Sequence, residues 1–259
     1  MDLGIAGRKA IVCASSQGLG LACATSLARE GVLVTINGRN PERLAAAAEQ
    51  IKAATGAEVR QAVADINTEA GRATLLDSTP EPDILINNNA GPAPGKIEDW
   101  DYAMWLAAVE ANMLAPIMLI KAVVPGMKER RFGRIVNITS AMVKSPSPTM
   151  GLSTAVRAGL TALSKSVQHS TVPFNVTINN MLPERFDTDR QRFMAERMVK
   201  NEGITMEEAR KKIADTISAK RMGDPGEFGD ACAFLCATQS GFTSGMNYQL
   251  DGGSYKGFA

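Results

Sequence analysis

The sequence predicts an α/β fold in which helices cover both faces of a doubly wound parallel sheet. Short runs of β-branched and apolar residues alternate with longer segments whose apolar residues recur at helical spacing. Alternating elements of this kind favour parallel pairing through right-handed crossovers. The 259 residues are 45% hydrophobic and 21% charged, as in ordinary globular domains, and no low-complexity linker divides them. We therefore expect residues 1–259 to form a single domain.

The first predicted strand is the apolar run Lys9–Ala14, and a glycine-containing turn joins it to the first helix. The second strand is Val32–Asn37, after which Asn40-Pro41 supplies a cap and a first-turn proline for the next helix. The remaining strands are predicted at Glu58–Val63, Ile84–Ile86, Arg134–Ile138, Phe174–Met181 and around Tyr248, with amphipathic helices at about 101–129 and 153–171.

The segment near 184–221 carries many charges and little strand pattern. Such a segment is typical of a mobile helical cover, and we interpret it as a substrate lid. A solvated helical insertion without function is the alternative, because a run of charges alone favours it about as often.

Charge and cysteine usage limit the partners and the compartment. The 28 Lys and Arg residues against 27 Asp and Glu leave a net charge of +1, which gives no electrostatic reason to expect nucleic acid or a membrane as partner. Cys13, Cys23, Cys232 and Cys236 are too scattered for a disulfide framework, so a reducing, cytoplasmic location is expected. No targeting sequence and no metal site are predicted.

The first strand-to-helix turn is the expected phosphate site, because ligands of parallel sheets bind beyond the carboxyl ends of the strands. Gly18 and Gly20 allow the backbone there to approach a pyrophosphate, and the N-terminus of the following helix favours its charge. Two glycines at a helix start also serve ordinary tight packing, so this turn alone is a weak signal.

Further motifs along the chain support a phosphate site at this turn, and together they resemble the motifs of a known family. They are the turn at 14–20, Asp65 in VADINT, Asn87-Asn88 in ILINNNAG, Asn112, Ser140 in IVNITS, Pro183 and Thr188 in PERFDT, residues 221–225 before a helix, and Asp251-Gly252-Gly253. In this order, over nearly the whole length, the sequence resembles the short-chain dehydrogenase/reductase family, particularly its β-ketoacyl reductase-like members. The resemblance implies a seven-stranded Rossmann-type sheet, a nicotinamide dinucleotide cofactor, a small-molecule alcohol or ketone substrate and a homotetramer.

The resemblance also implies which residues hold the cofactor. Asp65 and Ile66 would flank the adenine, residues 87–90 would lie along a ribose, and Thr188 would contact the nicotinamide carboxamide. Asp65 has an alternative role as cap of the helix that begins near Thr68, and Asn87 as a strand-end turn residue. The implied cofactor-binding residues are Ala14, Ser16, Gly18, Leu19, Gly20, Arg39, Asp65, Ile66, Asn88, Ala90, Pro183 and Thr188.

The end of the second strand indicates the cofactor type. It lacks the acidic residue that would bind an adenosine ribose, and Arg39 stands about where a 2′-phosphate would lie. A guanidinium suits phosphate through its paired donors, so NADP(H) is preferred and NAD(H) remains possible. The competing interpretation makes Arg39 a solvated turn residue, because Gln17 brings no second positive charge to the glycine turn.

The catalytic motif departs from the family pattern. Members of the family use a Ser to orient the substrate oxygen, a Tyr to transfer the proton and a Lys four residues later to lower the pKa of the Tyr. Here Asn112 and Ser140 are retained, whereas Ser153 replaces the Tyr and Arg157 replaces the Lys. In the cofactor site, Ala14 and Glu184 also stand where the family has glycine.

A serine is a poor general acid, and an arginine cannot pass a proton onward. Tyr102, Tyr248 and Tyr255 lie far from the motif, and His169 is expected at a helix end rather than in the active site. We therefore weigh three functions: an NADP(H)-dependent oxidoreductase that takes its proton from water, a nucleotide- or metabolite-binding regulatory protein, and a non-redox enzyme in which Ser140, Ser153 and Arg157 form an oxyanion site.

Overall fold

The computed structural model describes residues 1–258 and contains one seven-stranded parallel sheet. Its strand order is β3-β2-β1-β4-β5-β6-β7, and all neighbouring strands pair in parallel, as the alternation of strands and helices predicted. The strands are β1 (Lys9–Val12), β2 (Leu33–Gly38), β3 (Arg60–Val63), β4 (Ile84–Asn87), β5 (Gly133–Ile138), β6 (Val176–Pro183) and β7 (Asn247–Leu250).

Nine α-helices of residues 1–258 connect and cover these strands. They are α1 (Gly18–Arg29), α2 (Pro41–Thr55), α3 (Glu69–Ser78), α4 (Tyr102–Val109), α5 (Ala115–Glu129), α6 (Gly151–Thr171), α7 (Asp189–Glu202), α8 (Met206–Asp215) and α9 (Pro225–Cys236). Asn40 caps α2 by accepting a hydrogen bond from the backbone N–H of Arg43, as expected from Asn40-Pro41.

Two apolar layers, one on each face of the sheet, form the core. In β1, Ala10 and Val12 pack toward α1, α2 and α9, whereas Ile11 packs toward α3, α5 and α6. A strand that is buried on both faces needs apolar residues at every position, which explains the continuous apolar run in this part of the sequence. All four cysteines are free and buried.

Several predicted strand boundaries need correction by one or two residues. The first strand ends at Val12 rather than Ala14, because Ala14 adopts a left-handed backbone with φ of 43°. The sixth begins at Val176 rather than Phe174, because Val172–Phe174 forms a 3₁₀ turn that is followed by the left-handed Asn175. The pattern of apolar and β-branched residues does not locate these strand ends, because the backbone turns beside them set where each strand begins or ends.

The helical run predicted at 101–129 is interrupted by a π-helical turn, Glu110–Leu114, between α4 and α5. The run Tyr102–Glu129 contains an 18-residue stretch with a mean hydropathy of 1.7, so by length and composition alone the run could cross a membrane, and 33% of that stretch is buried. Its inner side packs on the sheet through Leu119, Val123 and Met127. Its outer side carries exposed apolar residues such as Leu106.

Between β1 and β4 the order of the strands reverses direction, so the chain leaves these two strands toward opposite sides of the sheet. A crevice opens at such a point beyond the carboxyl ends of the strands. The glycine turn follows β1 and the Asn88–Gly91 loop follows β4. The fold therefore places both motifs beside the same crevice.

Candidate functional site

A cavity of about 870 Å³ fills the crevice and extends from the glycine turn to the start of α6. Its volume lies in the range of sites for small molecules and cofactors. Most of the residues predicted from the sequence lie on its wall. These are Ala14, Ser16, Gly18, Leu19, Arg39, Asp65, Asn88, Ala90, Ser140, Ser153, Arg157, Pro183 and Thr188.

The glycine turn presents an uncapped helix N-terminus to this cavity. Gln17, the N-cap residue of α1, makes no side-chain capping bond, and the first turn of the helix contains no acidic residue. The first-turn N–H groups are therefore available to an anion, which the helix dipole also favours. The observed turn fits the pyrophosphate of a dinucleotide.

Ala14 keeps the turn geometry although the family has glycine at this position. Its φ of 43° lies in the left-handed region, which costs a non-glycine residue about 1–2 kcal/mol. Two hydrogen bonds hold it there, from the Ala14 N–H to Asn37 Oδ1 at 3.3 Å and from Asn88 Nδ2 to the Ala14 carbonyl at 3.1 Å. Ala14 therefore does not prevent the turn from forming.

Gly20, Ile66 and Asn112 lie off the wall of the large cavity. Gly20 allows a close approach, because a Cβ at this position would stand 2.5 Å from the Ala14 carbonyl oxygen and 2.8 Å from Asn88 Nδ2. The side chain of Ile66 is buried in the apolar layer on the α5 side.

Asn87 also faces away from the large cavity. Its Nδ2 donates to Asn137 Oδ1 at 2.8 Å, so the side chain joins β4 to β5 inside the sheet. This corrects the expectation that all of residues 87–90 lie along a ribose, since the wall begins at Asn88. The alternative role proposed for Asp65 is also wrong, because Thr68 caps α3 by accepting a hydrogen bond from the Gly71 N–H.

The far end of the cavity holds two guanidinium groups. Arg39 Nη1 lies 3.9 Å from Asp65 Oδ2, and its side chain is 70% exposed. Arg43, in the first turn of α2, donates from Nη1 to Gln17 Oε1 at 3.4 Å and lines the same end. Arg43 was not identified from the sequence, because a second positive charge for the 2′-phosphate was expected in the glycine turn and not in the next helix.

The Ser140, Ser153 and Arg157 side chains meet at the other end of the cavity. Ser140 follows β5 and its Oγ accepts a hydrogen bond from the Met142 N–H at 3.2 Å. Ser153 and Arg157 lie one turn apart on α6, and Arg157 Nε donates to Ser153 Oγ at 3.3 Å. Both hydroxyl oxygens therefore accept from the protein, which leaves each proton available for donation to an oxygen in the cavity.

Arg157 is buried and its donors contact neutral oxygens. Nη1 donates to the Ile138 and Thr139 carbonyls at 2.8 and 3.1 Å, and Nη2 donates to the Asn89 carbonyl at 3.4 Å. Burial, with a smaller contribution from the positive charge of Arg190, lowers the pKa of Arg157 to about 10. Arg157 thus joins the ends of β4 and β5 and keeps a positive charge beside the two serines.

Asn112 lies in the π-helical turn behind this group. Its Nδ2 donates to the Ala90 carbonyl at 3.3 Å, and within residues 1–258 its buried Oδ1 has no hydrogen-bond partner. Asn112 borders a small neighbouring cavity that it shares with Arg157. This position allows it to support the loop after β4 without lining the large cavity.

Among residues 1–258, no tyrosine or histidine lines the large cavity. His169 is exposed in the last turn of α6, where it was expected. The described part of the chain also contains no cluster of three His, Cys, Asp or Glu side chains that would hold a metal ion.

Glu184 stands on the cavity wall where the family has glycine. Burial raises the pKa of its carboxyl group, Arg185 opposes this effect, and Asp251 adds to it. Glu184 Oε1 lies 3.4 Å from Arg185 Nε. The ion pair offsets the charge that Glu184 would otherwise bring into an anion-binding site.

The segment near 184–221 forms α7 and α8, which pack on each other through Ala195, Ala209 and Ile213. Arg190, Phe193 and Met194 of α7 line the cavity. The predicted helical cover therefore lies against the cavity, with its own small apolar core.

A parallel sheet with this strand order, a glycine turn at the reversal point and a cavity beside it define a Rossmann-like α/β protein. The short chain dehydrogenase family model matches residues 8–199. The chain belongs to the short-chain dehydrogenase/reductase family of oxidoreductase-type proteins. Relatives include the NADPH-dependent reductase BacG of Bacillus subtilis, 32% identical over 96% of this chain and 98% of that protein.

Solved structures show the same fold. The NADPH-dependent reductase YwfH, involved in bacilysin biosynthesis, superposes with a TM-score of 0.90 at 30% identity, covering 97% of this chain and all of that one. L-sorbose reductase from Gluconobacter frateurii, in complex with NADPH and L-sorbose, superposes with a TM-score of 0.94 at 28% identity, covering 99% of this chain and all of that one.

Proposed function

We propose that this protein is an NADP(H)-dependent oxidoreductase that interconverts a small carbonyl compound and its alcohol at an atypical active site. The observation that carries the proposal is the single cavity that joins the glycine turn to Ser140, Ser153 and Arg157. The NADPH-dependent relatives support the choice of cofactor.

The chain's residues suit each part of the cofactor. The glycine turn and the N-terminus of α1 would hold the pyrophosphate, and Arg39 with Arg43 would bind a 2′-phosphate. Asp65 would flank the adenine, Asn88 and Ala90 would lie along a ribose, and Pro183 with Thr188 would contact the nicotinamide. Bound NADPH would supply a hydride to the carbonyl carbon.

Ser140 and Ser153 would orient the carbonyl oxygen by donating hydrogen bonds to it. The fixed charge of Arg157, transmitted through its bond to Ser153 Oγ, would stabilise the negative charge that develops on that oxygen. Arg157 remains protonated and cannot pass a proton onward, so water supplies the proton that completes the alcohol. Orientation and electrostatics would then carry most of the rate enhancement.

A screen of ketones and diketones with NADPH, together with calorimetric titration of the cofactor, tests this function. Carbonyl-dependent oxidation of NADPH supports the proposal. Binding of NADPH without turnover above the solvent background would favour a regulatory protein, and failure to bind it would favour a non-redox enzyme.

The preference for NADP(H) should depend on the two arginines at the far end of the cavity. The double change Arg39→Gln/Arg43→Gln should weaken NADPH binding by more than about tenfold, because even one lost charge-assisted hydrogen bond is worth about 1.5–3 kcal/mol. NADH affinity should stay unchanged within error. Lys52→Gln on the same helix is the control, since Lys52 pairs with Glu58 away from the cavity. Equal losses for both cofactors would contradict the assignment.

We also propose that the protein is a cytoplasmic homotetramer. The apolar outer side of α4, α5 and the turn between them supports an interface with a second copy, and Leu106 is 52% exposed there. The sequence also predicts apolar residues beyond the core-facing stripe at Val109 of α4 and at Leu160 and Leu163 of α6. Val109 and Leu163 are partly buried, and the prediction is wrong for Leu160, which is buried in the core. Light scattering should give four times the chain mass of 27.5 kDa, and a monomer mass would exclude the tetramer.

A further inference from the structure

At the end beside the two serines, the wall of the large cavity carries more unpaired positive charge than negative charge. Glu184 pairs with Arg185, and Asp189 lies 3.9 Å from Arg192. Within residues 1–258, Arg157 and Arg190 form no ion pair with a carboxylate. This end of the cavity therefore has two cations without a matching anion.

The two guanidinium groups approach one loop from different elements. Arg190, the second residue of α7, donates from Nη2 to the Pro92 carbonyl at 3.3 Å. Arg157 of α6 donates from Nη2 to the Asn89 carbonyl at 3.4 Å. Gly91 lies between these contacts, and a Cβ there would stand 3.3 Å from Arg157 Nη2. Both arginines thus border the cavity where the loop after β4 forms its wall.

Their charges act on each other. Burial lowers the pKa of Arg157, and the charge of Arg190 lowers it further. Burial, followed by the charge of Arg197, lowers the pKa of Arg190. Two cations that repel one another beside a cavity would both be stabilised by an anion bound between them.

The start of α7 adds to this positive field. Its N-cap residue, Thr188, makes no side-chain capping bond, and Thr188, Asp189, Arg190 and Gln191 all line the cavity. The first-turn N–H groups of this 14-residue helix carry partial positive charge, as at other helix N-termini. The nearest carboxylate of the turn, Asp189, is the one paired with Arg192.

We propose that the substrate is a carbonyl compound that also carries a carboxylate, and that Arg190 binds this carboxylate while Ser140 and Ser153 face the carbonyl oxygen. Arg157 contributes its charge, but four of its five N–H donors are held by the Asn89, Ile138 and Thr139 carbonyls and by Ser153. Arg190 donates one hydrogen bond to the Pro92 carbonyl, so its remaining N–H groups are available to bind a planar anion. The carbonyl part of this inference rests on the proposed function, whereas the anion site does not.

The anion could instead be a phosphate of the cofactor, so the titrations use protein that is saturated with NADP⁺, which fills the cofactor site and cannot reduce the probes. The probes are 2-oxobutanoate, 3-oxobutanoate and 4-oxopentanoate, each with its methyl ester, which keeps the carbonyl and removes the charge. Because this complex cannot turn over, calorimetry reports binding alone, and a failure of reduction and a failure of anion binding are distinguishable.

At least one oxo acid should bind about tenfold tighter than its ester, and Arg190→Gln should remove this preference, as expected for loss of a charge-assisted hydrogen bond. The affinities of the ester and of NADPH should not change. Lys200→Gln on the same helix is the matched control and should leave the preference intact, since Lys200 is exposed and is absent from the cavity wall. Where turnover is measurable, Arg190→Gln should raise the KM of the acid and leave that of the ester unchanged.

Three results would overturn the inference. No acid binds more tightly than its ester in the unmodified protein. Arg190→Gln weakens acid and ester equally, which indicates a general effect on the fold of α7. Arg190→Gln weakens NADPH and leaves the acid unaffected, which would assign Arg190 to the cofactor.

Discussion

The double change Ser153→Tyr/Arg157→Lys should raise the rate of carbonyl reduction by about a hundredfold to ten-thousandfold, the usual contribution of positioned proton transfer. A phenol whose pKa is lowered by a lysine one helical turn away donates a proton that a serine hydroxyl cannot. Ser153 borders the large cavity, so a phenol ring at this position can extend into open space. Initial rates with NADPH and the preferred ketone measure the effect.

The control for this gain is Ser153→Phe/Arg157→Lys, which adds the ring and the lysine without the phenolic hydroxyl. It should remain as slow as the unmodified protein, and the two single changes should gain less than the double. Lysine cannot contact all the oxygens that Arg157 holds, so a loss of stability is expected and thermal unfolding must be measured in parallel. If the folded double variant binds NADPH and still reduces nothing, proton transfer does not limit this protein.

Gly20→Ala should weaken NADPH binding by about tenfold to a hundredfold, because overpacking costs about 1–3 kcal/mol and the disturbed atoms fix the phosphate turn. The new Cβ would stand 2.5 Å from the Ala14 carbonyl oxygen and 2.8 Å from Asn88 Nδ2. These are the two atoms whose hydrogen bond holds the turn against the loop after β4. Calorimetric titration with NADPH measures the loss.

The matched control is Gly56→Ala. Gly56 ends α2 in a left-handed conformation with φ of 75°, and a Cβ there meets nothing within 4 Å among residues 1–258. An alanine at this position should lower the stability by about 1 kcal/mol through backbone strain alone. Its NADPH affinity should not change. Equal NADPH affinity in both variants would show that the close approach at Gly20 does not govern cofactor binding.

The sequence by itself determined the sheet, its parallel strands and the order of its motifs. These features follow from local patterns: β-branched runs for strands, apolar residues at helical spacing for helices, and caps such as Asn40-Pro41 for the places where helices begin. The change from Tyr and Lys to Ser153 and Arg157 was also visible, because the helix that carries both has a recognisable register.

Only the tertiary structure decided which neighbours each side chain meets. Asn87, the last residue of β4, joins β4 to β5, whereas Asn88, the first residue of the following loop, lines the cavity. Arg43 lies on α2 and lines the same end of the cavity as Arg39, which follows β2. Arg157 and Arg190, 33 positions apart in the numbering, approach one loop because α6 and α7 both border the crevice. Such contacts join residues that are distant in sequence, and a local pattern carries no information about them.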